Sequence, residues 1–476
     1  MPNRIYGLLK KFANRPQTYL DFPKQACPFY NSTFAFFRYG MKNKTLKRDK
    51  VNIITLGCSK NMVDSEVLSG QLLAAEVDVV HESGKRDHNI VIVNTCGFID
   101  KAKEESVNTI LQQVALKQRG KLDKVYVTGC LSQRYRDDLE QSIPEVDAWF
   151  GTMEMPLLLK KFEADYKSEL IGERLLATPQ HYAYVKIAEG CNRTCAFCAI
   201  PLMRGVHTSR SIDDIVREAE TLAKRGVKEI MLIAQELTYY GLDLYKKRML
   251  PDLMKRLSDV PGIEWIRLHY AYPHKFPMEI LDVMKERSNI CNYLDMPLQH
   301  AADAMLKAMR RQITRIEMEE LLQNVREAVP GICLRTTLIA GFPGETLDDV
   351  EELKTFLEKQ RFDRVGVFTY SHEEATPAYG LMDAIPAEEK QRRAEDIMAV
   401  QQEISYEKNQ EKVGHTFKVL IDKREAGRWL GRTEFDSVEV DNEVIIQTDQ
   451  RLQVGSFYKV QITRAYDYDL EGILVN

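Results

Sequence analysis

No stretch of the 476-residue chain approaches the roughly 18 to 20 consecutive apolar residues needed to cross a bilayer, which excludes a spanning helix. The first forty residues lack an apolar core ahead of a small-residue cleavage site, so no secretory signal is expected. Nine cysteines, an odd number scattered along the chain, do not read as a disulfide framework. Reduced thiols and metal ligation in the cytoplasm fit better. A net charge of -4 is small, but it is unevenly spread. Residues 1–50 hold eleven Lys and Arg against two Asp, so the remainder is acidic. That balance argues against a nucleic-acid surface as the main partner and leaves room for a basic one. Hydrophobic content of 44% and charged content of 29% are those of a globular protein with real cores, and the length suggests about three domains.

Against these absences stands one dense motif, Cys191-Asn192-Arg193-Thr194-Cys195-Ala196-Phe197-Cys198. Three thiolates on one short loop suit a soft metal centre, zinc or iron–sulfur. A closed structural site wants four protein ligands; with no fourth cysteine nearby, one metal position is left open, as catalysis requires. A zinc knuckle or plain structural thiols remain the alternative on local sequence alone.

The rest of the chain alternates strand and helix. Val51–Leu56, Ile90–Val93 and Lys124–Thr128 read as buried strands, with helices over Asp64–Leu73 and Lys101–Lys117 between them. Cys58, Cys96 and Cys130 each fall just beyond the carboxyl end of one of these strands, the edge where open parallel sheets bind ligands. They can therefore converge on one site; the alternative, three unrelated buried cysteines, leaves their common register unexplained. A second series of six strands follows: Ala183–Ala188, Glu229–Ala234, Trp265–His269, Tyr293–Pro297, Cys333–Ala340 and Arg364–Tyr370. Ser211 with Asp214, and Thr346 with Asp349, have the spacing of helix caps. A charged helix over 387–412 reads as a solvated face. Beyond Gly414 the period becomes two, in runs at Phe417–Ile421, Ser437–Val440, Val444–Ile446 and Tyr458–Ile462, punctuated by glycines, which points to a small all-β barrel.

The triplet, with an aromatic residue before its last cysteine, resembles the signature of radical SAM enzymes. Over residues 51–476 the arrangement resembles the methylthiotransferases within that group. Its motifs here are Leu56-Gly57-Cys58-Ser59-Lys60-Asn61, Asn94-Thr95-Cys96-Gly97-Phe98-Ile99-Asp100, Thr128-Gly129-Cys130 and Met296-Pro297-Leu298-Gln299-His300. Residues 1–50, basic and without helical or strand period, read as a disordered extension with Met41 as the working start. The resemblance implies an α/β fold in parts, beginning with an open parallel α/β domain over 51–155. After a linker over 156–180 come a partial (β/α)6 barrel with an exit helix over 181–412 and an OB-like TRAM barrel over 413–476.

The same resemblance implies two [4Fe-4S] clusters, one on Cys191, Cys195 and Cys198, the other on Cys58, Cys96 and Cys130. It implies S-adenosylmethionine as cofactor and radical source, and a methylated sulfur delivered from the second cluster. An electron donor and a sulfur donor are needed; membrane and DNA are not expected partners. Gly344 and Glu345, in the turn after the fifth barrel strand, and Gln235, after the second, are candidates to contact the cofactor. His300 reads rather as a structural histidine, and Cys291 and Cys333 as buried packing residues.

Members of this family modify either a tRNA adenosine beside the anticodon or an aspartate of a small-subunit ribosomal protein. Residues 414–476 carry eleven Asp and Glu against eight Lys and Arg. A tRNA grip wants a basic surface, so the excess favours a basic ribosomal protein. The run Asn94–Asp100 with Glu105-Ser106, and Ile200-Pro201-Leu202-Met203-Arg204-Gly205, resemble the ribosomal-protein branch, which acts on the β-carbon of an aspartate in protein twelve of the small subunit.

Overall fold

A computed structural model describes residues 49–84 and 87–475. The expected basic extension, with Met41 and Cys27, lies outside the described residues apart from its last two positions. The chain divides into two compact units at Leu170.

In the first unit, β1 (Lys50–Thr55), β2 (Asp78–His81), β3 (Ile90–Thr95), β4 (Lys124–Gly129) and β5 (Ala148–Trp149) form one parallel sheet in the order β2-β1-β3-β4-β5. Helices α1 (Ser59–Ala74), α2 (Asp100–Gln118), α3 (Cys130–Ser142) and α4 (Met155–Leu159) join or follow them. Strand β3, Ile-Val-Ile-Val-Asn-Thr, is buried at every position, as a central parallel strand must be. Its side chains alternate between two cores. Val91 and Val93 join Val125, Val127, Ile110 and Leu139 on one face; Ile90 and Ile92 join Val51, Ile53, Leu68 and Leu72 on the other. Strands β2 and β5 were not legible, because four and two residues carry no period.

In the second unit, β6 (Tyr182–Lys186) begins a sheet and the two-residue strands β7 (Ala188–Glu189) and β8 (Thr208–Ser209) pair antiparallel beside it. The sheet continues with β9 (Glu229–Ile233), β10 (Trp265–Leu268), β11 (Ile290–Asp295), β12 (Cys333–Ala340) and β13 (Arg364–Thr369). The order is β13-β12-β11-β10-β9-β6, so β6 and β13 remain unpaired edges and the barrel is partial. Helices α5 (Ile200–Arg204), α6 (Ile212–Lys224), α7 (Leu250–Ser258), α8 (Glu279–Glu286), α9 (Asp303–Ala308), α10 (Arg315–Ala328) and α11 (Leu347–Gln360) fill the connections. Alternate strand residues such as Val185, Leu232, Ile266, Leu294 and Leu338 pack against them. Ser211 Oγ accepts the Asp214 N–H at 3.1 Å, and Thr346 with Asp349 forms a reciprocal capping box. Thr314 and Glu317 form another, which the sequence reading overlooked.

Helix α12 (Ala387–Gln410) leads to a closed five-stranded barrel of β14 (Thr416–Glu425), β15 (Arg428–Arg432), β16 (Val444–Ile446), β17 (Phe457–Ala465) and β18 (Leu470–Leu474). One expectation is corrected: Ser437–Val440 is a turn, not a strand. Ser437 and Val438 are buried, with Ser437 Oγ 3.0 Å from His269 Nε2 just after β10, while Glu439 and Val440 are exposed. Around that contact Trp265, Cys291, Tyr293 and Cys333 pack with Leu420, Phe435 and Phe457. Cys333 Sγ donates to the Phe435 carbonyl at 3.2 Å, so Cys291 and Cys333 pack where the C-terminal barrel docks. Among the described residues no helix is long and apolar enough to cross a membrane.

Candidate iron–sulfur sites

In the first unit the strand order reverses direction between β1 and β3, the point at which such sheets open a ligand crevice. Cys58 and Cys96 follow those two strands, and Cys130 follows the neighbouring β4. The register pairs Thr55 with Asn94 and Thr95 with Gly129, so the three chain exits are aligned. Two glycines let them close up. A Cβ on Gly57 (φ +92) would stand 2.7 Å from Cys96 Cβ and 2.9 Å from its sulfur; one on Gly97 would stand 2.8 Å from the Leu131 backbone.

Asn61 fastens the three loops. Its Nδ2 donates to the Leu56 carbonyl at 2.7 Å and to the Thr95 carbonyl at 3.0 Å, and Cys130 Sγ approaches its Oδ1 at 3.8 Å. Asn94 Nδ2 returns a bond to the Asn61 carbonyl at 2.9 Å. Ser106 brackets the backbone of Cys96, accepting its N–H and donating to its carbonyl, both at 3.0 Å. Cys58 is the N-cap of α1 and Cys130 is the first residue of α3. Helix N-termini favour anionic ligands there, which suits thiolates. Cys96 and Cys130 are buried while Cys58 is exposed.

In the second unit the β7–β8 ladder closes the base of the loop that carries the triplet. Cys191 N–H donates to the Gly205 carbonyl at 3.1 Å, Ala196 N–H to Met309 at 3.0 Å, and Ala378 N–H to Ala196 at 2.8 Å. Gly190 (φ +79) is required here, because a Cβ would fall 2.1 Å from the Val206 carbonyl oxygen. Desolvation pushes the Cys191 thiol up to about 11 and the Cys198 thiol up to about 12, so thiolates in this loop need bound positive charge. Among the described residues no three His, Cys, Asp or Glu side chains converge on a point that would hold one ion. Three thiols on one short loop are a soft donor set that fits an iron–sulfur cluster.

Other candidates are accounted for differently. The Glu345 carboxylate already accepts the Gly341 N–H at 2.9 Å and Arg393 Nη1 at 2.9 Å, which fixes the turn after β12 against α12. Gly344 (φ +86) has open space around it. His300 is fully buried, and its Nδ1 accepts the N–H groups of Ala301 and Ala302 at 3.0 Å. Gln235 donates to Glu189, beside the cysteine loop, and its buried Oε1 has no partner among the described residues. The sequence reading missed Arg193 and Arg311. Arg193 is stacked between Tyr239 and Tyr272, 4.0 and 3.8 Å from their ring centroids, and bonded to Glu236 at 2.8 Å. Arg311 Nη1 donates to Cys195 Sγ at 3.2 Å. Arg193 stood inside the motif but its partners come from distant loops; Arg311 had no local signal.

The C-terminal barrel is less acidic at its surface than its composition suggests. Asp422, Asp436 and Asp441 turn inward to Arg432, Arg364 and Arg335. Of the eleven acidic residues three are spent in this way, and of the eight basic ones Arg432, so the exposed surface is close to balanced.

Residues 50–151 match the uncharacterised protein family UPF0004, residues 185–357 the radical SAM superfamily, and residues 413–475 the TRAM domain. The chain is 58% identical over 436 residues to the ribosomal protein uS12 methylthiotransferase RimO of Cytophaga hutchinsonii, covering 91% of this chain and 100% of that protein. It is 53% identical over 427 residues to the protein of that name from Phocaeicola vulgatus, covering 89% and 99%. Among solved structures, the radical S-adenosylmethionine methyltransferase TsrM from Kitasatospora setae shares the fold with a TM-score of 0.53 at 15% identity, over 70% of this chain and 74% of that one. With relatives this similar matched over their full length, the chain belongs to the radical SAM methylthiotransferases, in the RimO family.

Proposed function

We propose that this protein transfers a methylthio group to the β-carbon of an aspartate in ribosomal protein uS12. The observation that carries this reading is the 58% identity to a relative named for that reaction, over that relative's whole length. Cys191, Cys195 and Cys198 would hold one [4Fe-4S] cluster, and Cys58, Cys96 and Cys130 a second that carries the sulfur. Together with S-adenosylmethionine, the first supplies one-electron chemistry able to remove an unactivated hydrogen, which acid–base side chains cannot do at neutral pH.

The chain's own residues hold and shield these sites. Burial of Cys191 and Cys195 keeps water from the barrel site. Asn61 and Ser106 fix the loops that present the second set, and the N-termini of α1 and α3 favour its thiolates. An electron donor and a sulfur donor complete the reaction, and a ribosomal substrate places the work in the cytoplasm.

The test is a deletion strain, complemented with the wild type or with Cys195→Ala, and read by mass spectrometry of uS12 and of tRNA nucleosides. The methylthio mass on uS12 should vanish in the deletion and return only with the wild type. An unchanged uS12 mass with lost methylthio-adenosine would instead make the protein a tRNA-modifying member.

A further inference from the structure

Arg311 follows α9 and is 3% exposed. Its Nη1 donates to Cys195 Sγ at 3.2 Å and its Nη2 to the Pro297 carbonyl. The guanidinium carbon lies 4.2 Å from the centroid of Tyr272, whose hydroxyl donates back to the Arg311 carbonyl at 2.8 Å and sits 3.8 Å from the same sulfur. The buried Arg311 Nε has no hydrogen-bond partner among the described residues. Among the described residues Arg311 has no carboxylate partner, in contrast to Arg193, which Glu236 neutralises on the other side of Tyr272.

A buried guanidinium with no counter-charge is strongly unfavourable, and arginine cannot escape by losing its proton. The site is balanced only when a permanent anion occupies the loop, and a cluster with its thiolates is such an anion. Hydrogen bonds and positive charge at cluster sulfurs raise the reduction potential, because each added electron is stabilised more than the oxidised state.

We propose that Arg311 is the built-in counter-cation of the cluster on Cys191, Cys195 and Cys198, and that its bond to Cys195 raises that cluster's reduction potential. Arg311 is thus a positioning and tuning residue, acting through Cys195. The proposal rests on the reading that the triplet holds a cluster.

The experiment uses the full chain with Cys58, Cys96 and Cys130 replaced by Ala, so that one cluster is present, reconstituted anaerobically without S-adenosylmethionine. Iron and sulfide are counted, and the one-electron reduction is titrated with a low-potential reductant, following the paramagnetic reduced cluster. Arg311→Met should retain its iron and be at least tenfold harder to reduce, a fall of about 59 mV for a one-electron couple. Arg311→Lys, which keeps the charge, should recover most of that shift. An unchanged potential in the loaded Met variant would overturn the proposal, as would loss of iron from both variants, which marks a purely structural role. Iron lost from the Met variant alone, with the Lys variant loaded and near the parent potential, supports it. A parent protein that takes up no iron would overturn the cluster reading itself, and with it this one.

Discussion

Glu229, the first residue of β9, accepts Arg432 Nη2 at 2.7 Å across 203 positions of sequence, with both side chains almost completely buried. Its other oxygen accepts Arg267 Nε at 2.9 Å, and Arg432 in turn reaches Asp422, which meets His181 Nε2 at 2.8 Å. The C-terminal barrel is thus fastened to the large sheet by a buried ionic chain as well as by the apolar contacts of Trp265 and Phe457. Replacing Glu229 with Gln leaves Arg267 without a carboxylate and Arg432 with Asp422 alone in a dry interface. The expected loss is about 3–5 kcal/mol, read as a lower urea midpoint and as earlier proteolytic release of the C-terminal barrel.

The same chain sets an acid limit. Burial pulls Glu229, Asp422 and Asp436 upward, but Arg432 and Arg267, Arg432, and Arg364 respectively outweigh it and hold all three carboxyls below the usual range. A carboxyl lower in the folded than in the unfolded state adds stability above its unfolded value and loses it as pH falls through the folded one. Asp441 and Glu439 run the other way: burial raises both, so each costs stability above its raised value. Desolvation holds His81 down to about 4, so the unfolded chain takes up that proton first. Thermal midpoints should fall as pH drops below about 6.5 and fall further below about pH 4, near the unfolded carboxylate values. A midpoint independent of pH down to 3 would contradict this.

What the sequence displayed and what it hid divide by range. The strand over Cys333–Ala340 was legible to the residue, because its apolar run and the Gly341 turn are local signals. Ser437–Val440 was misread because the group that holds Ser437, His269, lies far back in the chain. The strand ends and the spacing that mark the six cysteines are local signals. What Asn61, early in α1, and Arg311, after α9, would touch has no such signal, since their partners come from other segments.

Gly57 offers a test of how closely the first unit's loops must pack. Gly57→Ala combines left-handed backbone strain with a Cβ 2.7 Å from Cys96 Cβ. Gly120 also has positive φ (+68) but nothing within 4 Å of an added Cβ. Both Ala variants should lose about 1–3 kcal/mol of stability, and only Gly57→Ala should also lose iron from the first unit. Equal iron contents in the two would show that the Gly57 contact does not shape the site.

The two cysteine sets should also separate by iron content. If each holds one four-iron cluster, replacing Cys58, Cys96 and Cys130 with Ala removes about half of the iron and sulfide, by the ligand logic of such clusters. Replacing Cys191, Cys195 and Cys198 removes the other half, and the six-fold variant binds none. The sets lie in separate compact units, on either side of Leu170, so each loss should leave the other site's spectrum intact. Circular dichroism guards against the trivial outcome: the helical signal should persist in each triple variant, since the cores of β1–β5 and of the large sheet do not include these sulfurs. Unchanged iron in the Cys58/Cys96/Cys130 variant would reduce the protein to a single cluster and leave the sulfur without a metal site in the first unit.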